Sequence, residues 1–354
     1  MMVTIGDRPV DRILIRLPNW VGDIMMALPA VQLIKQTFPG AWLIGMARVN
    51  HMALVKRCPA FDEVVSASPQ TGLGRYRAIW ASARQLRTAD VDVAVLMATS
   101  FEAALTAWLA GIPVRVGHGT DYRRVLLNKV VEVVDGHRSD GFLDLVSASG
   151  SQSSNNGNML CCTASDRQYA ERFFHNAGIR PGTRPVFVNP AAAKTPRAWS
   201  AGRFLRLAQE IGRRHEDLPV LVHDRYPFEG PPGWAASRSV HALTDASLVE
   251  LAAVIERCSL YVGNDSGPMH IAAALGVPTI GIYGPSNPNR TAPRGANGTT
   301  HIVVSAGFPC SPCRERFFQE CPSQPSSDSR PPCLNEVSVD QVAVEVDRIL
   351  QLLD

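Results

Sequence analysis

Short apolar runs alternate with longer amphipathic stretches along most of this 354-residue chain. In the first third, the apolar runs bounded by turn residues predict strands, and stretches with apolar residues at every third or fourth position predict helices. The predicted strands cover residues 12–17, 41–46, 62–67, 91–97 and 114–118, and the predicted helices cover residues 23–37, 52–57, 76–87 and 101–109. Strands that alternate with helices in this way form a parallel sheet with helices on both faces.

The same alternation returns in the second half of the chain. The predicted strands there are 185–189 and 220–223, and the predicted helices are 167–177, one that Ser200 can cap, and 245–257. A strand, helix and second strand then follow in the sequence CSLYVGNDSGPMHIAAALGVPTIGIYG. The two halves therefore predict two similar α/β lobes.

Two further segments stand apart from this alternation. Residues 147–158, SASGSQSSNNGN, predict a flexible loop or a disordered segment near the boundary between the lobes. Residues 338–352 predict an amphipathic terminal helix, whose apolar stripe runs from Val339 to Leu353. We predict an α/β fold of two Rossmann-like lobes with a cleft between them, divided into residues 1–178, 179–335 and a terminal helix at 336–354.

The segment GNDSGPMH, Gly263 to His270, has the features of an anion-binding helix start. Gly267 allows close approach of the backbone, Pro268 suits the first helical position, and the free N–H groups of a helix N-terminus bind anions. Three side chains with different hydrogen-bonding groups stand on the same rim: Asp265, Ser266 and His270. We predict a ligand cradle at this helix start.

Gly22 and Asp23 close the first strand–helix loop, at the edge where open α/β sheets place their ligands. A carboxylate there can act as a general base, because a helix start holds it rigidly at the ligand-binding edge. The alternative is that Asp23 only caps its helix. The sequence leaves both roles open.

The loop NPAAAKTPRAW, residues 189–199, carries Lys194 and Arg197 directly after the first strand of the second lobe. Preorganised cations at that edge can neutralise a departing diphosphate. Ordinary solvated surface charge is the alternative for both residues.

Four of the eight cysteines form the pattern C-x2-C-x7-C-x11-C: Cys310, Cys313, Cys321 and Cys333. Four thiolates on a loop rich in proline and serine suit a tetrahedral zinc or iron ion. Reduced thiols and facultative disulfides are the alternatives.

Composition and missing motifs exclude several classes of protein. GxGxxG, Walker A, HExxH and GxSxG motifs are absent, which removes the main support for nicotinamide, P-loop, metalloprotease and α/β-hydrolase chemistry. The net charge of +3, from 35 basic and 32 acidic residues, does not indicate a nucleic-acid partner. A hydrophobic content of 45% with 19% charged residues is typical of a globular protein.

The sequence also predicts a cytoplasmic location. No apolar run reaches the roughly 18 residues that a membrane-spanning helix needs, and the start MMVTIGDRPVDR lacks the apolar core of a signal peptide. Weak attraction to an anionic surface is compatible with the small positive charge. Five arginines are expected mainly to be solvated at the surface, with contact to phosphorylated sugars as the alternative: Arg12, Arg16, Arg48, Arg123 and Arg124.

Three stretches in the same order resemble the ADP-heptose:lipopolysaccharide heptosyltransferases of glycosyltransferase family 9, and the first looks most like heptosyltransferase II. They are RLPNWVGDIMMALPAVQLIKQTFPGA, the loop from Lys194 to Trp199, and VGNDSGPMHIAAALGVPTIGIYGPSNP. The resemblance implies a GT-B fold, with the acceptor bound by the N-terminal lobe and the donor by the C-terminal lobe. It also implies an inverting transfer in a single displacement.

The resemblance assigns roles to individual residues. Asp23 would be the general base that activates an acceptor hydroxyl, and its loop would contribute acceptor-side residues: Asn19, Trp20 and Gly22. The donor-binding residues would be Lys194, Arg197, Asp265, Ser266, Gly267, Pro268, Met269, His270, Tyr283 and Gly284. After the strand VLVH this chain departs from the family pattern with DRYPFEGPPG, in which Asp224 and Glu229 are the candidates for the donor ribose contact.

The resemblance also implies partners. These are an ADP-heptose donor, a lipopolysaccharide core acceptor and peripheral contact with the inner membrane, with no nucleic acid and no cofactor required for catalysis. The related autotransporter heptosyltransferases bind iron through a similar cysteine element. The alternatives are therefore a protein heptosyltransferase with cysteine-bound iron, and a non-catalytic, metal-bearing GT-B scaffold.

Overall fold

The computed structural model describes residues 4–5, 8–67, 74–147, 159–192, 197–223, 239–295, 299–313 and 331–353. The chain divides into two compact units, Met1–Cys161 (unit 1) and Cys162–Asp354 (unit 2). The predicted ribose-contact candidates Asp224 and Glu229, together with Lys194, Cys321 and the tract from residue 148 to 158, lie outside the described residues.

Unit 1 is built on a parallel six-stranded sheet with the order β5-β4-β3-β6-β7-β8. Its strands are β1 Thr4–Ile5, β2 Arg8–Pro9, β3 Arg12–Arg16, β4 Trp42–Arg48, β5 Glu63–Ala67, β6 Val93–Leu96, β7 Val114–His118 and β8 Lys129–Val131. Its helices are α1 Val21–Thr37, α2 Val49–Val55, α3 Gly74–Thr88, α4 Phe101–Leu109 and α5 Arg138–Ser147. Strands β1 and β2 form a separate antiparallel pair.

The central position of β3 places the first strand–helix loop in the middle of the sheet edge. Leu14 of β3 pairs with Ile44 of β4 on one side and with Ala94 of β6 on the other. Because all these strands are parallel, the loops that follow them emerge at one common edge. The periodicity did not predict β8 or α5. Strand β8 has only three residues, and Gly141 within the continuous helix α5 breaks the helical pattern of its sequence.

Unit 2 repeats this architecture with the parallel order β11-β10-β9-β12-β13-β14. Its strands are β9 Val186–Asn189, β10 Val220–His223, β11 Val240–Leu243, β12 Leu260–Asn264, β13 Thr279–Ile282 and β14 His301–Val304. Its helices are α6 Ala164–Asn176, α7 Ala201–Arg214, α8 Leu248–Glu256, α9 Gly267–Ala274, α10 Pro288–Thr291, α11 Pro332–Asn335 and α12 Val339–Leu353. Ser200 caps α7 as predicted, because its side chain accepts a hydrogen bond from the Arg203 N–H.

Helix packing explains where the units divide. Helix α6 packs against α8 of the second sheet, so the boundary lies at Cys161/Cys162, before α6, and not at the predicted 178/179. Helix α12 packs against α7 and buries Val342, Val346 and Ile349, which are spaced to share one helix face. Leu353, which we expected in the same apolar stripe, is 52% exposed.

Candidate active site

In unit 2, the segment between β12 and α9 forms the predicted helix start. Every residue of β12 is buried, and α9 begins at Gly267 with Ser266 as its N-cap residue. The Ser266 side chain makes no capping hydrogen bond, so it does not occupy the N–H groups of the first turn. Pro268 stands at the second helical position, one residue later than predicted. This geometry suits an anion at the start of α9.

A buried carboxylate lies between two cationic or donating groups at this helix start. Asp265 Oδ2 is 3.5 Å from Arg197 Nη1, and Asp265 Oδ1 is 3.8 Å from His270 Nε2. Burial raises the pKa of Asp265, but His270, Arg197 and Ser286 together outweigh burial and hold this pKa below its ordinary value. An ionised Asp265 repels phosphate, so it suits orienting Arg197 and His270, or accepting hydrogen bonds from hydroxyl groups.

The loop that carries Arg197 is fixed to the end of β12 by one amide side chain. Asn264 Oδ1 accepts a hydrogen bond from the Trp199 N–H at 2.8 Å, and Asn264 Nδ2 donates to the Pro190 carbonyl at 2.8 Å. The Trp199 ring is buried, and its Nε1 donates to the Val337 carbonyl. Asn264 was not among the predicted site residues. It could have been predicted, because it is a polar residue at the end of β12 and lies within the GNDSGPMH segment.

Three positions predicted to bind the donor serve packing in this structure. The Met269 side chain is fully buried, and the buried Tyr283 donates its hydroxyl hydrogen to the Thr291 carbonyl at 2.6 Å. A Cβ atom at Gly284 would overlap Leu334 of α11. The contacts that the structure shows for these three positions are packing contacts within unit 2, and their contact with a donor stays a prediction.

In unit 1, the predicted catalytic carboxylate stands in the first turn of α1. The N-cap residue is Trp20, without a side-chain cap, and Asp23 is the third helical residue. Asp23 therefore does not cap the helix. Its Oδ1 instead accepts a hydrogen bond from Arg138 Nη1 at 3.0 Å, with the Asp23 side chain 18% exposed and the Arg138 side chain 43% exposed. Arg138 begins α5, which packs along α1, and the sequence analysis missed it.

The loop before α1 is tied down by Arg16. Its guanidinium donates to the Leu17 carbonyl and, at 3.0 Å, to Asn19 Oδ1. Burial lowers the pKa of Arg16 to about 10, while Glu102 raises it and Arg48 lowers it. Arg16 therefore stays a cation at neutral pH. The expectation that it is a solvated surface residue was wrong.

A cavity of about 460 Å³ lies at the carboxyl edge of the unit 1 sheet. Its polar lining consists mainly of residues that end or follow parallel strands, with additions from α3 and α4: Arg16, Asn19, Arg48, Arg75, Ser100 and Glu102. Three arginines face one glutamate, and that glutamate already pairs with Arg75 at 3.0 Å. The excess positive charge suits a carboxylate or a phosphate group.

Arg123 was also expected at the surface, and the structure places it in the core. Its guanidinium is fully buried and donates to backbone carbonyls of His118, Leu96 and Ala98. Burial lowers the pKa of Arg123 to about 10, whereas Asp121 raises it. Its role is to satisfy loop carbonyls at the ends of β6 and β7.

The cysteine element is only partly described. Cys310 is exposed, Cys313 is half-buried and Cys333 is buried. Within the described ranges, no three histidine, cysteine, aspartate or glutamate side chains come together as a metal site. Cys321 falls in the gap from residue 314 to 330.

Two Rossmann-like units, each with polar side chains at the carboxyl edge of its parallel sheet, match the fold of the GT-B glycosyltransferases. The sequence model of glycosyltransferase family 9 (heptosyltransferase) matches residues 79–322, and the chain belongs to this family.

Known proteins support this assignment. The lipopolysaccharide heptosyltransferase 2 of Escherichia coli (strain K12) is 26% identical over 310 residues, or 80% of this chain and 85% of that protein. The crystal structure of a family 9 glycosyltransferase from Veillonella parvula DSM 2008 has a TM-score of 0.79 at 20% identity, covering 96% of this chain and 97% of that chain. E. coli ADP-heptose lps heptosyltransferase II has a TM-score of 0.74 at 21% identity, covering 96% and 99%. The predicted fold class is confirmed.

Proposed function

We propose that this chain transfers a heptose from ADP-heptose to the inner core of lipopolysaccharide. The observation that carries the proposal is Asp23, a partly exposed carboxylate held by Arg138 at the ligand-binding edge of unit 1. Membership of the heptosyltransferase family supplies the class of sugar. The names of the relatives, which include an ADP-heptose lps heptosyltransferase II, support the donor and the acceptor.

In the proposed reaction, Asp23 removes the proton from an acceptor hydroxyl as that oxygen attacks the anomeric carbon of the donor. The new glycosidic bond forms while the bond to the diphosphate breaks, and ADP leaves with the electron pair. A general base works best when it is held in one orientation at the reacting hydroxyl. The hydrogen bond from Arg138 supplies that restraint.

Unit 2 would bind the donor. The N–H groups at the start of α9 suit the diphosphate, and Arg197 adds a cation beside them. Asp265 would orient Arg197 and His270 and accept hydrogen bonds from sugar hydroxyls. Ser266, Gly267 and Pro268 would contribute mainly their backbone to this cradle.

Unit 1 would bind the acceptor. Asn19 and Trp20 precede Asp23, and Asn19 also lines the cavity with Arg16 and Arg48. That cavity would take an anionic group of the lipopolysaccharide core, because its lining carries excess positive charge.

Incubation of the purified chain with ADP-heptose and a heptose-deficient core acceptor tests this proposal. We expect a core product longer by one heptose, and no product from the Asp23→Asn variant. Transfer only from another nucleotide sugar would contradict the donor, and transfer only to a protein would favour the autotransporter-type alternative. An Asp23→Ala variant with full function would favour a non-catalytic scaffold.

We also propose that the enzyme works at the cytoplasmic face of the inner membrane. Among the helices within the described ranges, none is long and apolar enough to cross a bilayer. A lipid-anchored acceptor would bring the enzyme to the membrane surface.

We further propose a structural zinc or iron ion at the four cysteines. The Cys313 N–H donates to the Pro285 carbonyl at 3.0 Å, and a Cβ atom at Gly284 would lie 3.2 Å from Cys333 Sγ, so both cysteines flank the same two residues. Metal analysis of protein purified without chelator should give about one ion per chain. No metal together with four titratable thiols would contradict this.

A further inference from the structure

Helix α3 has one buried side and one exposed side of unusual composition. Ala83 and Leu86 are buried in the core with the sheet and α4, and Ala78 and Ile79 are buried where they line the cavity. On the exposed side, two large aromatic residues face solvent: Tyr76 is 64% exposed and Trp80 is 61% exposed. Two large aromatic rings exposed next to each other form an apolar patch, and exposed patches of this kind mark interaction sites more often than single exposed residues do.

The exposed aromatic residues share their side of the helix with arginines. At about 100° per residue, the following five fall within an arc of about 100°, which we call the α3 face: Tyr76, Arg77, Trp80, Arg84 and Arg87. The sequence of α3, GRYRAIWASARQLRT, contains no acidic residue. The α3 face therefore combines an aromatic surface with uncompensated positive charge.

Neighbouring contacts hold the α3 face rigid and leave its charge available. At one end Arg75 pairs with Glu102 of α4 at 3.0 Å, and at the other Arg87 donates to the Leu109 carbonyl at 2.6 Å. Trp108, the residue before Leu109, is half-exposed and extends the aromatic surface onto α4.

The central arginines of the α3 face keep their charge uncompensated. Arg77 and Arg84 have no ion-pair partner within the described part of the chain. Their guanidinium groups can therefore reach an external anion without breaking an internal contact.

Helix α7 of unit 2 shows that a basic helix alone does not have these features. Its Arg213 and Arg214 both pair with Glu210, and Arg214 also pairs with Asp347 of α12. Its exposed positions carry no aromatic side chain. The charges of Arg213 and Arg214 are therefore compensated within the protein, whereas Arg206 donates to the Gly202 carbonyl.

We propose that the α3 face docks unit 1 onto an anionic lipid bilayer. Tryptophan and tyrosine are enriched at the level of lipid headgroups, where an apolar ring and a polar group are both accommodated. Arginines beside them attract anionic headgroups and can extend their charge to the phosphates. This proposal does not depend on which sugar the enzyme transfers, because it concerns binding to lipid alone.

Co-sedimentation with vesicles tests the docking surface. The full chain should bind vesicles of phosphatidylcholine and phosphatidylglycerol, and more weakly at high salt. Arg84→Gln should weaken binding about fivefold, since one interfacial charge contributes about 1 kcal/mol. Trp80→Ala should weaken it about tenfold through lost apolar burial.

Matched exposed residues elsewhere serve as controls. Arg206→Gln on α7 removes an exposed arginine, and Trp42→Ala removes a half-exposed tryptophan at the amino end of β4. Both should bind vesicles like the wild type, and all four variants should keep the wild-type melting temperature.

Three results would overturn the proposal. The first is undiminished vesicle binding by Trp80→Ala and Arg84→Gln. The second is equal binding to vesicles of phosphatidylcholine alone. The third is binding of a DNA duplex that Arg84→Gln weakens, without vesicle binding, which would assign the face to nucleic acid.

Discussion

The two sheet edges of this enzyme share one architecture and differ in how their polar groups are held. In unit 2, Asn264, Asp265 and His270 are buried: Asn264 donates to the Pro190 carbonyl, and Asp265 lies 3.8 Å from His270. In unit 1, Asp23 and Arg138 stand partly in solvent. In the proposed reaction, the buried edge would bind the small nucleotide sugar and the more exposed edge would bind the larger acceptor. The difference in burial between the two edges fits these two proposed roles.

The largest expected effect is on catalysis and comes from Asp23 at the partly exposed edge of unit 1. Asp23→Asn keeps the shape of the side chain and removes the base, so kcat for heptose transfer should fall about 100-fold to 10,000-fold. The free energy of unfolding should fall by about 1 kcal/mol at most, because the Asn side chain can still accept the hydrogen bond from Arg138 while the negative charge at the start of α1 is lost. Steady-state kinetics with a denaturation curve measures both, and a variant with near wild-type kcat would remove Asp23 from the mechanism.

The acid sensitivity of the fold should come from His301, the first residue of β14, at the amino edge of the unit 2 sheet. Burial, with a smaller effect from the charge of His270, lowers the pKa of His301 from its ordinary 6.5 to about 4. Below pH 6.5 the unfolded chain binds a proton that the folded chain does not yet bind. The contribution to stability is therefore complete above pH 6.5 and is lost as the pH falls towards 4, by about 3 kcal/mol in total.

Urea denaturation at neutral and mildly acidic pH measures how the free energy of unfolding changes with pH. His301→Gln should make this change smaller, and His175→Gln, at an exposed position on α6, should leave it as in the wild type. Equal slopes in His301→Gln and in the wild type would refute the assignment.

A smaller effect on stability is expected from Asn264, which fixes the loop that carries Arg197 to the end of β12. Asn264→Ala leaves the Trp199 N–H and the Pro190 carbonyl without their present partners, so the free energy of unfolding should fall by about 2 kcal/mol. Asn289→Ala, at an exposed position on α10, is the matched control and should lose almost nothing. Similar stability in both variants would mean that Asn264 does not hold the loop.

The smallest expected effect is on the orientation of the base. Arg138→Gln should lower kcat about tenfold without changing KM for ADP-heptose, because it loosens Asp23 and leaves the donor edge untouched. Arg138→Lys should recover part of this loss. A rise in KM at constant kcat would instead place Arg138 in substrate binding.

Local pattern predicted five of the six strands in the unit 1 sheet and four of the six in the unit 2 sheet, but not β8, β11 or β14. The apolar residues around Leu14 are buried and the strand around Val262 is buried throughout, and a run of that kind is visible in any single sequence. The cap at Ser200 was predictable for the same reason, since a cap depends on residues three positions apart. Short strands such as β8 carry too few residues to show a period.

Contacts between distant residues were not predictable. Arg138 and Asp23 are 115 positions apart, and no periodicity relates them. The burial of Arg123 depends on carbonyls that only the folded loops bring together. Gly284 sits beside a ligand-type motif in sequence, yet Leu334 of α11 fills the space next to it. The positions of the edges were predictable from local sequence, whereas the partners of the polar side chains there depend on tertiary contacts.

Calorimetric measurement of ADP binding to the wild type, Arg197→Ala and Asp23→Asn tests most directly whether the unit 2 edge binds the donor and the unit 1 edge does not. Arg197→Ala should weaken ADP binding about 10-fold to 100-fold, since it removes a charged hydrogen-bond donor from the unit 2 edge. Asp23→Asn should bind ADP like the wild type. Equal weakening in both variants, or none in Arg197→Ala, would contradict the account.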